Sequence, residues 1–138
     1  MFKKTILVTL LLLVPLIGLA KKHLLASDYS KPIIVTESAP TFTITLPTNP
    51  STGYSWFLWK YNDDYIIPMT EKTLKPQKNV PGAPTVSRWS FNIDDDAFKV
   101  PHIFYITMLY ARPWNLRASK RKVITVIATK GKKNGFHL

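Results

Sequence analysis

The residues with most to offer chemically fall in three short segments. They are Pro47-Thr48-Asn49-Pro50-Ser51-Thr52-Gly53-Tyr54, Asn79-Val80-Pro81-Gly82-Ala83-Pro84-Thr85-Val86-Ser87 and Ala111-Arg112-Pro113-Trp114-Asn115-Leu116. None sets a hydroxyl beside a histidine or gathers carboxylates. What they provide is stiffness and display: Pro fixes φ, Gly supplies positive φ, and Asn bonds to nearby backbone. A loop built this way around Ser51 and Thr52 enters a cleft with little loss of conformational entropy. Gly82 and Ala83 are small and leave backbone groups accessible. Pro113 removes a ladder donor and pushes Trp114 into a loop beside Arg112, and Trp and Arg are the types most enriched at binding hot spots. The chemistry on offer is recognition by shape.

Catalytic alternatives are few. The 138 residues contain no Cys, which removes a thiolate nucleophile, a disulfide framework and any Cys-based metal site. His23, His102 and His137 are the three histidines. His102 opens an apolar run with no Ser or carboxylate identifiable as its partner, so a structural role is expected. Asp94-Asp95-Asp96 lacks the alternating ligand spacing of a calcium loop and reads as a solvated turn, as does Asp63-Asp64. We expect no enzyme, no metal and no cofactor.

The elements that must position the three segments read as strands. With 46% hydrophobic residues the chain is globular, and its length suits one domain. Thr41 to Leu46 alternates strictly, placing Phe42, Ile44 and Leu46 on one face. Ile33 to Val35, Tyr54 to Trp59 and Ser87 to Ile93 are further strands, and Trp89, Phe91 and Ile93 point inward in the last. Tyr54 to Trp59 is too aromatic on both faces to be freely exposed. His102 to Tyr110 is the longest candidate, and a central position explains apolar residues on both its faces. Lys122 to Thr129 closes the set, while Tyr65 to Ile67 and Lys72 to Leu74 are shorter and weaker. No helical periodicity is sustained after the N-terminus. Seven or eight short strands separated by turns predict an all-β domain, either a two-sheet sandwich or a small barrel.

Residues 1–20 stand apart. Met1 to Lys4 is basic, Thr5 to Ala20 is apolar, and Gly18-Leu19-Ala20 is a small-x-small ending. This pattern predicts a secretory signal peptide cleaved after Ala20, with an uncleaved N-terminal anchor as the alternative. The remainder is then exported, either periplasmic or secreted. The expected organisation is residues 1–20 as signal, 21–30 as linker, 31–130 as the folded domain and 131–138 as a basic tail. The chain has 19 Lys+Arg against 8 Asp+Glu, a net charge of +11, and Arg117 to Leu138 holds seven bases and no acid. That stretch reads as a solubilising tail plus a charged strand edge that resists pairing with other chains, in preference to the alternative of attraction to an anionic membrane face or an acidic partner. Membrane contact is expected only through the N-terminal segment or the tail.

Together, Asn49-Pro50-Ser51-Thr52-Gly53-Tyr54, Gly82-Ala83-Pro84 before an aromatic strand, and Arg112-Pro113-Trp114 resemble the chagasin-like family of papain-type cysteine protease inhibitors. The resemblance covers roughly residues 31–130. It implies an immunoglobulin-like antiparallel β-sandwich whose three loops at one end block the active-site groove of a papain-like cysteine protease, tightly and reversibly. On this reading Ser51 and Thr52 form the tip of the central loop, held in shape by Asn49, Pro50, Gly53 and Tyr54. Gly82, Ala83 and Pro84 run alongside the groove, and Arg112, Pro113 and Trp114 grip its opposite shoulder. Thr85 stands where the family often has a glycine. Two other functions fit the same composition. An extracytoplasmic immunoglobulin-like adhesion module shares the sandwich, and a single-stranded nucleic-acid-binding barrel shares the basic, aromatic character. Against nucleic acid as a partner, the aromatics alternate as core faces do and the bases cluster elsewhere.

Overall fold

A computed structural model describes residues 28–76 and 80–131. The signal or anchor over 1–20, most of the linker and all but Gly131 of the tail lie outside them. The described residues form seven strands: β1 (Ile33–Thr36), β2 (Thr41–Thr48), β3 (Ser55–Lys60), β4 (Ile66–Thr73), β5 (Thr85–Ile93), β6 (His102–Arg112) and β7 (Asn115–Thr129). They form two sheets, one ordered β1-β7-β6-β3 and the other β2-β5-β4. This is a two-layer β-sandwich, so the barrel suggested by the basic, aromatic composition is not what the chain builds. The β3-β6-β7 and β2-β5-β4 groupings follow the immunoglobulin pattern, with the first strand moved across to join the last. All pairings are antiparallel except that of β1 with β7, which is parallel, Ile33 facing Val126.

Alternation places the core. Phe42, Ile44, Leu46 and Thr48 of β2 are buried, while Thr41, Thr43 and Pro47 between them are exposed. Opposite them on β5 stand Phe91 and Ile93, and Phe42 stacks on Phe91 with ring centroids 5.2 Å apart. The facing sheet contributes Phe104, Ile106, Met108, Ile124 and Val126. Trp89 packs against this core while remaining partly exposed. The two strand prolines sit where a missing N–H does least harm: Pro47 on edge strand β2, and Pro68 at the bulge in edge strand β4.

Two expectations change. β6 is central in its sheet, yet only one face of its first half is covered, since Ile103 and Tyr105 are each 60% exposed. Among the described residues no second layer packs over the outer face there. Trp59 is likewise largely exposed, because β3 is an edge strand and only Trp56 and Leu58 reach the core. His102 has the structural role expected of it. Its Nδ1 lies 2.8 Å from the Ala97 carbonyl and 2.9 Å from that of Val100, so Nδ1 carries the proton, and the ring stacks on Phe104. Asp94 caps the turn over Asp95–Phe98 by accepting from the Asp96 N–H.

Candidate functional site

The strand register brings the ends of β2, β4 and β6 and the starts of β3, β5 and β7 to one pole. Thr48 faces Thr85, Ser55 faces Ala111, Thr73 faces Ser87, and Arg112 faces Asn115. The connections β2–β3, β4–β5 and β6–β7 therefore emerge side by side, and they carry the three predicted segments.

The β2–β3 loop is shaped by its own hydrogen bonds. Pro50–Thr52 is a single 3-10 turn with Pro at its first position, where no N–H is needed. The Asn49 carbonyl accepts from the Thr52 N–H at 3.1 Å and from its hydroxyl at 2.7 Å, and Gly53 N–H closes on Pro50 at 3.1 Å. Gly53 then reverses the chain at φ +75°, a region that side chains with a β-carbon avoid. Pro50, Ser51 and Thr52 are left exposed at the tip.

Asn49 ties this loop to the second. Its Nδ2 donates to the Gly82 carbonyl at 3.1 Å, while its Oδ1 accepts from Ser51 Oγ at 2.6 Å. The third loop closes against the first from the other side. Arg112 Nε donates to the Thr52 carbonyl at 3.2 Å, its guanidinium lies 4.7 Å from the Tyr54 ring centroid, and Trp114 rests on Gly53. Pro113 and Trp114 form a two-residue hairpin turn, and the indole is 74% exposed. All twelve predicted residues thus gather at one pole, with Asn49, Tyr54 and Arg112 turned partly inward as braces.

A family model described as chagasin family peptidase inhibitor I42 matches residues 36–127, two thirds of the chain and all three loops. The chain belongs to the chagasin family of peptidase inhibitors. Two solved structures are similar to it. The Entamoeba histolytica cysteine protease inhibitor EhICP2 is 24% identical with a TM-score of 0.45, covering 70% of this chain and 92% of its own. Amebosin, solved in solution, is 19% identical with a TM-score of 0.46, covering 72% and 97%. No curated protein matches the chain significantly.

The middle loop of this chagasin-family inhibitor meets its conformational demand without a glycine at Thr85. Gly82 takes the positive φ, +77°, and Thr85 already belongs to β5, its hydroxyl donating to the Leu74 carbonyl at 2.6 Å. Asn79 lies outside the described residues. Sequence reasoning missed a second tier beneath the tip. The Tyr110 hydroxyl accepts from the Asn49 N–H at 3.2 Å, and its ring lies 5.2 Å from that of Tyr54 and 4.9 Å from that of Trp56. Trp56 Nε1 in turn donates to the Pro47 carbonyl at 2.8 Å, joining the two sheets just below the loops. The available signal was position: Tyr110 sits two residues before Arg112 and Trp56 two after Tyr54, so a β period of two sets each on its neighbour's face.

The shifted carboxyl and ammonium groups lie elsewhere. The Ser30 N–H and hydroxyl bonded to Asp28 hold its pKa below the usual carboxylate value, and the Asp96 carboxylate at 2.8 Å raises that of Lys99. A groove of about 530 Å³ lined by Lys60 to Asp64 and Ile103 to Tyr105 also lies apart from the loops.

Proposed function

We propose that this inhibitor acts on a papain-like cysteine protease by seating the three loops in its active-site cleft as a reversible plug. Ser51 and Thr52 lie nearest the catalytic centre, Gly82 to Pro84 run along one wall, and Trp114 fills a pocket on the other shoulder. Arg112 holds the third loop against the first as well as facing the target. The chain has no cysteine with which to form a disulfide to the target's thiol, and inhibition follows from occupancy. The backbone at Thr52 turns away at Gly53 and offers no extended peptide bond for attack.

The observation that supports this most is the cross-bracing of the three loops through Asn49, Arg112 and Trp114. A braced tip loses little entropy when it binds, and an interface of roughly 800 Å² per partner is the usual size for a stable complex. The basic start, apolar middle and small-x-small ending of residues 1–20 support export, so the target is met outside the cytoplasm.

Titration of the protein against papain, with Thr52→Arg and Trp114→Ala variants alongside, tests the proposal. Stoichiometric inhibition by the parent that both changes weaken, with unfolding curves unaltered, is the expected result. Full inhibition by the doubly substituted protein would remove the loops from the mechanism.

A further inference from the structure

The β6–β7 hairpin carries more than its turn. Between the Arg112–Asn115 pair and the Tyr110–Lys120 pair, β6 has one intervening residue, Ala111, and β7 has four, Leu116 to Ser119. The surplus is a bulge beside Trp114, and bulges re-aim side chains out of the ladder. Leu116 is 48% exposed there, and Arg117 and Ala118 are exposed with it. Just below, Lys120 and Arg121 are exposed on opposite faces of β7, so that they flank its far edge, which is open because β1 pairs only from Val126 onward.

This stretch is electrostatically one-sided. No acid occurs in the chain after Asp96. Among the described residues the only ion pair is Lys99 with Asp96, so Arg117, Lys120 and Arg121 have no carboxylate partner. Lys122 differs, lying 5.9 Å from the Tyr29 ring centroid. A charged side chain on a strand edge discourages pairing with another chain. Three unneutralised bases within five residues, following directly on an exposed Trp, exceed that need and repel one another. At about 3.3 Å per residue Arg121 lies no more than roughly 23 Å along the strand from Trp114, within the span of a single protein interface.

We propose that Leu116, Arg117, Lys120 and Arg121 form a docking strip, continuous with the loop tip, for an acidic surface flanking the target protease's cleft. The inference rests on the cleft-plugging reading and adds the chemistry of the target's shoulder. Opposed charges at an interface rim act mainly on association, raising the rate at low salt and selecting partners of the right sign.

The test is the association rate constant of the purified protein with two papain-like cysteine proteases, one of acidic and one of basic net charge, at about 20 mM and about 500 mM salt. For the acidic protease the Arg117→Glu/Lys120→Glu/Arg121→Glu variant is expected to associate at least about tenfold more slowly than the parent at low salt. At high salt, where the Debye length falls to a few ångströms, the two should converge. For the basic protease the same variant should associate as fast as the parent or faster. Trp114→Ala should raise the dissociation rate and leave the salt dependence of association intact. An unchanged low-salt rate for the triple variant, or an equal loss with both proteases, overturns the strip while leaving the plug standing. No inhibition of either protease by the parent overturns the plug and the strip together. Vesicles containing phosphatidylserine form a second arm. If they bind the parent but not the triple variant, and protease association is unaffected, the strip belongs to a membrane surface and the proposal fails.

Discussion

Trp114 lies over Gly53 so closely that a β-carbon built at the glycine would come within 2.9 Å of the indole Cη2. Gly53 also holds φ at +75°. Two requirements thus coincide at one residue, one from the backbone turn and one from the packing of the neighbouring loop. Gly53→Ala should lose about 1–2 kcal/mol of stability from the left-handed backbone alone. It should also push the indole off its seat and weaken inhibition at least about tenfold. Urea unfolding and inhibition constants measured on the same sample check both parts; an unaltered inhibition constant would mean that the indole's seat is immaterial.

Asn49 is a brace between two loops, and its two side-chain atoms do different work. Asn49→Asp keeps an acceptor for Ser51 but replaces the donor to Gly82 with a second oxygen facing a carbonyl. Both Asn49→Asp and Asn49→Ala should therefore weaken inhibition, each by about tenfold, or about 1.4 kcal/mol. Because the bonds are exposed, the unfolding free energy should move by no more than about 1 kcal/mol. Inhibition constants for the pair of variants decide it: if Asn49→Asp inhibits like the parent, the link to Gly82 does not brace the tip.

Tyr110 supports the same residue from below. Tyr110→Phe keeps the ring contacts with Tyr54 and Trp56 and removes only the hydroxyl that accepts from the Asn49 N–H. Leaving that partly buried donor unpaired should cost about 1 kcal/mol of stability. Hydrogen exchange at the Asn49 amide should quicken as well. Protection equal to the parent's would show that the bond contributes nothing.

How legible this was in the sequence depends on whether a residue's partners are near in the chain. β2 and β5 were plain because one face of each is buried and the other is not, so Phe42, Ile44 and Leu46 alternate with threonines. β4 shows in the sequence only as two fragments, Tyr65 to Ile67 and Lys72 to Leu74, since on this edge strand Ile66 alone is buried and there is no period to see. The first half of β7 is hidden in the sequence for a related reason. Residues 115–121 are mostly exposed and show no alternation, and what holds Asn115, Lys120 and Arg121 in the strand is their pairing to β6, not a pattern of their own. The three loop segments are legible by type and spacing, and the strand register is what brings them to one pole. The braces are not legible, because Asn49 to Gly82 and Arg112 to Thr52 join positions 33 and 60 residues apart.

Trp114 and Arg112 sit two residues apart and should behave differently when truncated. The indole is 74% exposed and stabilises the free protein little, so Trp114→Ala should change the unfolding free energy by less than about 0.5 kcal/mol. If it fills a pocket on the protease, the same change should weaken inhibition by about 2 kcal/mol, roughly thirtyfold. Arg112 is half-buried, donates to the Thr52 carbonyl and lies over Tyr54, so Arg112→Ala removes contacts that exist before any partner arrives. It should lower stability by about 1 kcal/mol and also weaken inhibition, because the tip is less well held. Unfolding and inhibition measured side by side separate the two roles. A Trp114→Ala protein that is destabilised but inhibits normally would make the indole part of the scaffold and not of the contact surface.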